Sequence, residues 1–572
     1  MDFGWGALSD GAAGWTFSAW SPDAEKIEIE LEGQRRALDR TDGGWWQLRF
    51  DAEAGSRYRL VVDGNVMVDP ASRLQAGDVH GPSVLHDHAS YQWTSPWHGR
   101  PWEEAVIYEL HIGTFTPEGT FAAAADKLGE LARLGITAIE VMPVGQWSGE
   151  RGWGYDGVLP FAPHPAYGSP DDFKRFVERA QALGMMVVLD LVMNHFGPDG
   201  AYIHAASPHF FNPERHTPWG ASIDFSQPAV QAFWIQCASM WLTHYRLDGL
   251  RLDAIHEVSG PGADEFIDRF SRTLRALPLG RPIHLIAEDE RNEPQQREAG
   301  YYEANWNDDF HHAIHAELTG ESHHYYVSYS VNPIDDLRLA LERGQIEEGQ
   351  HREGRKKARG KPSGHLEPTA FVNAVQTHDQ VGNRAYGDRL ITIAPTHGVE
   401  VAFGLLLAAP FIPMIFMGEE RGETNPFLYF ADFHDELGRL VREGRSAEFE
   451  EIDKHGEEVP DPIARETFEA SKLGWKTDER ARHWLDLTQR CLHFRHQHIV
   501  PLLKSKRVGS AQARQLGHKG IEVQWHFVDG TVDLVLNFGE VAQGARHLKA
   551  PQLTINDIAR DNYALAIEVH PK

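Results

Sequence analysis

The feature that most restricts this chain is a series of eight apolar, strand-like runs, most of them separated by stretches of helical periodicity. They are "AVIYELHI" (105 to 112), "AIEVMPV" (138 to 144), "MMVVLDLVMNH" (185 to 195), "GLRLDA" (249 to 254), "IHLIAED" (283 to 289), "YEANWND" (302 to 308), "FVNAVQTHD" (371 to 379) and "FIPMIFMGEE" (411 to 420). Between them, "FAAAADKLGELARLG" and "PDDFKRFVERAQALG" repeat apolar residues at helical spacing, and each stops at a glycine, the residue that turns most easily out of a helix. A strand followed by a helix returns the chain to start the next strand in the same direction, so eight such units predict an α/β fold with a closed (β/α)8 TIM barrel. A doubly wound sheet is the alternative, but neither glycine fingerprint of that fold, GxGxxG or GxxxxGKS/T, follows a strand.

A length of 572 residues exceeds one ordinary domain. Residues 1 to 95 are rich in Gly and Asp turns and carry short alternating runs, "KIEIELE", "WWQLRF" and "YRLVVDG", the pattern of a small N-terminal β-sandwich. The barrel is expected over 96 to 506, and "IEVQWHFVDGTVDLVLNFG" with "NYALAIEVH" points to a C-terminal β-domain over 507 to 572. Two insertions, 196 to 226 and 321 to 368, follow strand ends and should overhang the C-terminal mouth of the barrel, where such folds place their active sites.

Composition excludes several functions. A net charge of −28 repels phosphate backbones, so nucleic acid is not an expected partner. The one basic run, "REGRKKARGK" (352 to 361), reads as a solvated loop in so acidic a chain. No window offers the roughly 18 uninterrupted apolar residues of a membrane-spanning helix. The N-terminal stretch lacks the basic start and apolar core of a secretory signal, and the two cysteines, Cys237 and Cys491, imply no disulfide framework, so the cytoplasm is the expected compartment. The pairs His311/His312 and His323/His324 look like metal ligands, but adjacent side chains diverge and cannot share one ion. They are read as hydrogen-bonding histidines, and no metal or cofactor is expected.

Polar groups gather where the apolar runs stop: Asn194 and His195 after the third, Asp253 after the fourth, Glu288 after the fifth, His378 and Asp379 after the seventh. In a barrel these ends converge on one mouth, and carboxylates around a pocket suit acid/base and nucleophilic work at an acetal carbon. Any one of them could equally cap a helix or make an ion pair; four such strand ends together are harder to explain that way. Arg251 lies two residues before Asp253, on the same strand face, where its cation would keep Asp253 ionised. Glu288 follows "HLIA", whose apolar surroundings would raise a carboxyl and suit it to giving up a proton near neutrality.

These residues resemble the α-amylase family, glycoside hydrolase family thirteen. "DLVMNH" (190 to 195), "GLRLDAIHE" (249 to 257), "AEDE" (287 to 290) and "THDQ" (377 to 380) match its four sequence regions in order. The resemblance implies Asp253 as nucleophile, Glu288 as general acid/base and Asp379 as the residue that holds sugar hydroxyls in the transition state. It implies His195, Arg251 and His378 as their companions. In "GWGYDG" it implies Tyr155 as the ring that stacks on the sugar. Within the family the chain is most similar to members that release trehalose from the end of a maltooligosaccharide, along the whole sequence, and its N-terminal part is similar to carbohydrate-binding modules of family forty-eight. "HTPWGASIDFS", "HLIAEDERN", "ANWNDDFHHAIHAELTGE", "THDQVGNRAYGDRL" and "FMGEERGETNPFLYF" carry that likeness. Two positions depart from it: Arg421, where a tryptophan is more usual, and Glu293, where an aspartate is.

The implied substrate is an α-glucan oligosaccharide ending in trehalose. His256, Glu257, Asp289, Arg291, Trp306 and Asp308 are the candidates to hold that disaccharide, each of which could also be an ordinary solvated loop position. Trp219 is a candidate stacking wall or a core residue. An α-1,4-glucan branching or debranching enzyme shares all the catalytic features, and a non-catalytic glycan-binding protein on the same fold would be expected to lose at least one of the three carboxylates.

Overall fold

The computed structural model describes residues 4–11, 14–217, 219–449, 458–539, 541, 544–546 and 548–572. Pro218, in the first expected insertion, and residues 1–3 and 12–13 of the expected sandwich lie outside them. Eight parallel strands close into a barrel in chain order: β1 (Ile107–Leu110), β2 (Ala138–Val141), β3 (Met186–Leu191), β4 (Gly249–Leu252), β5 (His284–Ala287), β6 (Ala304–Trp306), β7 (Phe371–Ala374) and β8 (Ile412–Phe416). Each falls inside one of the eight apolar runs. Every residue of all eight is buried, which is why the runs are continuously apolar rather than alternating: one face looks into the lumen and the other is covered by helices.

Helix α1 (Phe121–Leu134) buries Phe121, Ala124, Leu128, Leu131 and Leu134, one stripe at helical spacing. Thr120 caps its start by accepting from the Ala123 amide, and Gly135, at φ 106, ends it in the left-handed conformation. Helix α2 (Pro170–Ala182) opens with a reciprocal cap between Ser169 and Asp172. Such helices fix the strand ends that carry the site.

Residues two apart on a strand share a face, so the lumen is filled from below by Ile107, Ala138, Met186, Val188, Ile286 and Ala304. The next positions upward on the same faces are Glu109, Glu140, Asp190, Arg251, Glu288 and Trp306. The polar layer is therefore continuous with the apolar plug beneath it.

Before the barrel, two antiparallel sheets face each other. One has strands Gly6–Gly11, Gly14–Trp20, Trp45–Asp51 and Asp39–Arg40; the other has Gln34–Ala37, Ile27–Leu31, Arg57–Val62 and Asn65–Met67, with Ser83–Val84 beside Arg57–Val62. Trp15, Phe17, Ile27, Ile29, Trp46, Tyr58 and Leu60 fill the space between them. After the barrel, five antiparallel strands run in the order Gln512–Leu516, Gly520–Phe527, Gly530–Phe538, Tyr563–Pro571, Leu553–Ile555. The segment after β3 forms a hairpin, Phe211–Thr217 with Gly220–Ile223, and the long segment after β6 contains helix α3 (Pro333–Arg343).

Candidate active site

Arg251 is the centre of the site. It is fully buried on β4, abreast of Asp190 on β3. Its Nη1 donates to both oxygens of Asp190 at 2.8 and 2.7 Å and to Oδ1 of Asp253 at 2.8 Å, while Nη2 lies 2.8 Å from Oε2 of Glu288 in an ion pair. Its guanidinium sits over the Trp306 ring, 4.1 Å from the centroid. Arg251 was expected to serve Asp253; it serves three carboxyls at once.

The backbone turns sharply just past Asp253. Ala254 stands at φ 37, a strained value for a residue with a side chain, and its amide donates to Oε2 of Glu288 at 2.7 Å while the Ile255 amide donates to the Glu288 carbonyl at 3.0 Å. Those two bonds hold the ends of β4 and β5 together. Asn194 donates to Oδ2 of Asp253 at 3.1 Å and so fixes its second oxygen. Burial, opposed by Arg251 and reinforced by the charge of Asp253, raises the Glu288 carboxyl above its usual value. Asp190 is pushed up to about 7, chiefly by burial, despite the pull of Arg251.

Around this core, Tyr155 donates to Asp190 at 2.5 Å and stacks on His378 with ring centroids 5.0 Å apart. His195 contacts the Tyr155 carbonyl at 2.9 Å through Nε2, and burial lowers it to about 4. Trp219, at the end of the hairpin after β3, is half exposed and stacks on His195 at 4.6 Å. Asp379 heads the short helix after β7, and Asn383 donates to its Oδ1 at 3.3 Å.

These groups line a cavity of about 450 Å³, to which Tyr155, His195, Trp219, Asp253, His256, Glu288, Asp308, His378 and Asp379 all contribute, together with Glu290, His312, Tyr325, Arg355, Arg359 and Asn383. A second cavity of about 900 Å³ continues past Asp379, Gln380 and Asn383 along Tyr325, Arg384 and Tyr386. Both insertions supply wall residues, Trp219 from the first and Tyr325, Arg355 and Arg359 from the second. Four of the expected sugar contacts are not on the cavity wall. Trp306 is buried beneath Arg251, Asp289 and Arg291 bind each other through two side-chain bonds of 2.8 and 2.7 Å, and Glu257 is half-buried on the turn after β4.

The basic run also departs from expectation. Lys356 and Lys357 are exposed, but Arg352 pairs with Asp336, Arg355 with Glu347, and Arg359 with Glu347 and Asp309. The partners are buried acids on other segments, which no count of charge along the chain could assign. Among the described residues, no group of three or more His, Cys, Asp or Glu stands where it could hold a metal ion. Instead His311 contacts the Val375 carbonyl at 2.6 Å and the Tyr326 hydroxyl at 3.1 Å. The unusual Arg421 lies over the Trp475 ring, 4.6 Å from its centroid, so an aromatic from another segment stands beside it.

The chain matches the α-amylase catalytic-domain family over residues 92–219. It is 37% identical over 95% of its length to a malto-oligosyltrehalose trehalohydrolase of Deinococcus radiodurans, of which it covers 90%. The chain belongs to the malto-oligosyltrehalose trehalohydrolase family. A second member of that family, from Saccharolobus solfataricus, is 39% identical over 84% of each chain. A solved structure from Salmonella typhimurium, described as of the alpha amylase type, is 44% identical with a TM-score of 0.95 over 99% of both chains. The α/β barrel and the β-sheets before and after it all lie within the part of the chain that this solved structure shares.

Of the residues that sequence reasoning passed over, Asp190, Glu109 and Glu140 had a signal. Each is a carboxylate inside an otherwise apolar run that periodicity places in the lumen. Glu290 lies inside the quoted motif "AEDE" but was given no role. Tyr325, Arg355 and Arg359 had a signal only as members of the insertion 321 to 368; which of its residues reach the cavity depends on how the loop folds.

Proposed function

We infer that this chain hydrolyses the α-1,4 bond that joins a maltooligosaccharide to a terminal trehalose and releases trehalose, the activity in its relatives' names. One observation carries the mechanism: a single buried guanidinium, Arg251, lies 2.8 Å from both Asp253 and Glu288. Two carboxyls sharing one cation stand side by side, which supports the arrangement of a retaining glycosidase, whose nucleophile and acid are about 5 to 5.5 Å apart.

Asp253 attacks the anomeric carbon, its charge held by Arg251 and Asn194. Glu288 gives its proton to the departing oxygen; Oε2 is held by the Ala254 amide and Arg251, and Oε1 is the oxygen left for the leaving group. Water deprotonated by Glu288 then opens the glycosyl–Asp253 ester and returns the α configuration. Asp379 and His378 hold hydroxyls of the reacting sugar, and Tyr155 forms the platform beneath it.

Trehalose takes the side lined by Trp219, His256, Glu290 and Arg355, and the glucan extends into the cavity past Asp379. Trehalose bends at its 1,1 bond and has no reducing end. A linear maltosyl unit in its place presents its hydroxyls at other positions and loses some of the bonds to these polar side chains. Two free, buried thiols support work in the cytoplasm, where thiols stay reduced.

Incubation with maltooligosyltrehalose should yield free trehalose as the main product, with slow cleavage of plain maltooligosaccharide. Equal rates on the two substrates would remove the trehalose assignment and keep an α-glucan hydrolase, whereas α-1,6 linkages in the products would favour a branching enzyme.

A further inference from the structure

His378 is held from below by a group to which nothing above gives a role. Glu109, buried on β1, meets it twice: its Oε1 lies 2.5 Å from Nδ1 of the ring and its Oε2 accepts from the His378 backbone amide at 3.1 Å. This two-point contact fixes both the start of the short helix His378–Gly382 and the ring it carries. Stacking on Tyr155 and an edge contact with Trp153, 5.5 Å between centroids, fix the ring plane. The other nitrogen, Nε2, is 3.5 Å from Oδ1 of Asp379 and on the cavity side.

We propose that Glu109 is the positioning residue for His378: by engaging Nδ1–H it orients the ring so that Nε2–H faces the cavity beside Asp379, as a donor to a hydroxyl of the bound sugar. This rests on reading the cavity as the catalytic site. The charged and titratable groups facing His378 are Glu109 from β1, Glu140 abreast of it on β2, Arg251 from β4, Asp379 on its own helix, Tyr155 above it and His111 just past β1. Burial and Arg251 work against a charged ring. Asp379 and Glu109 outweigh them and lift His378 to about 9, so both ring nitrogens carry protons at neutral pH. Glu140, raised far above the usual range chiefly by burial and then by Glu109, is a neutral neighbour of the clamp.

The test is Glu109→Gln, which keeps the shape and removes the charge, with Glu109→Asp beside it. Glu109→Gln should lower kcat/KM on maltooligosyltrehalose on the order of 10²-fold and move the alkaline limb of its pH profile to lower pH, with partial recovery in Glu109→Asp. The His378 resonance, followed by NMR, should titrate near 9 in the wild-type protein and nearer 6.5 in Glu109→Gln. A uniformly lower profile of unchanged shape, or a wild-type His378 that titrates near 6.5, would overturn the proposal; the second result needs no variant to fold. Wild-type turnover in His378→Ala would instead overturn the reading of the cavity itself.

Discussion

At the scale of single residues, the site is an arrangement in which one cation, Arg251, answers for Asp190, Asp253 and Glu288. Both Asp253→Asn and Glu288→Gln keep the size of the side chain; Gln keeps an oxygen for the Ala254 amide and Arg251, Asn keeps one of the two bonds that Asp253 accepts, and what is lost is a nucleophile in one case and a proton donor in the other. Each should fold as the wild type does and lose activity by roughly 10³-fold or more, measured as trehalose release alongside a circular dichroism spectrum. Near wild-type turnover in either variant would reassign that residue. Most of this constellation was legible in the sequence, because polar groups gather at the ends of four apolar runs and three of those ends carry a carboxylate, Asp253, Glu288 and Asp379. What was not legible is who bonds to whom. Arg251 and Asp253 share a strand face and could be paired from spacing alone. Asp190, 61 residues upstream of Arg251, becomes its neighbour only through the parallel register of β3 and β4.

At the scale of elements, the eight strands could be read because both faces of each are covered, and such strands have to be apolar throughout. The basic run 352 to 361 reads as a solvated loop for the opposite reason: its arginines are ordered by partners outside the run, 12 to 50 residues from Arg359. Arg359 bonds to Glu347, Asp309 and the Tyr329 hydroxyl, and both carboxylates are almost fully buried. Removing a cation from buried acids leaves them uncompensated, which costs about 3 kcal/mol. Arg359→Met should therefore lower the urea midpoint of unfolding clearly, whereas Lys356→Met, at an exposed position of the same run, should leave it in place. Equal midpoints in the two variants would mean that the run is the solvated loop its composition suggests. Arg355 and Arg359 also line the cavity, so the Arg359 variant should weaken substrate binding as well.

At the scale of the whole molecule, the three β and α/β parts are fastened by large side chains that cross between them. Trp5, just before the strand Gly6–Gly11, donates through Nε1 to the Ala229 carbonyl at 2.9 Å, and Trp525 of the last sheet donates to the Leu341 carbonyl at 3.1 Å. A frame tied at both ends can bear unfavourable charge at the barrel mouth, and Asp308 is where that cost should be measurable. Burial, with Glu288 and Asp379 adding to it, lifts its carboxyl from 3.8 to about 7. A carboxyl raised in the folded state destabilises the fold where it must ionise there: the penalty is absent below the unfolded value of 3.8, grows as pH rises, and is complete above about 7. Asn at this position keeps an oxygen for the bond from Gln380 and cannot ionise. Asp308→Asn should thus melt at a higher temperature than the wild type at pH 8, with the gap closing at pH 4.5, while its activity falls because the carboxyl faces the substrate cavity. Thermal unfolding at the two pH values decides the matter, and a gap that is equal at both, or reversed, would show that Asp308 carries no such burden.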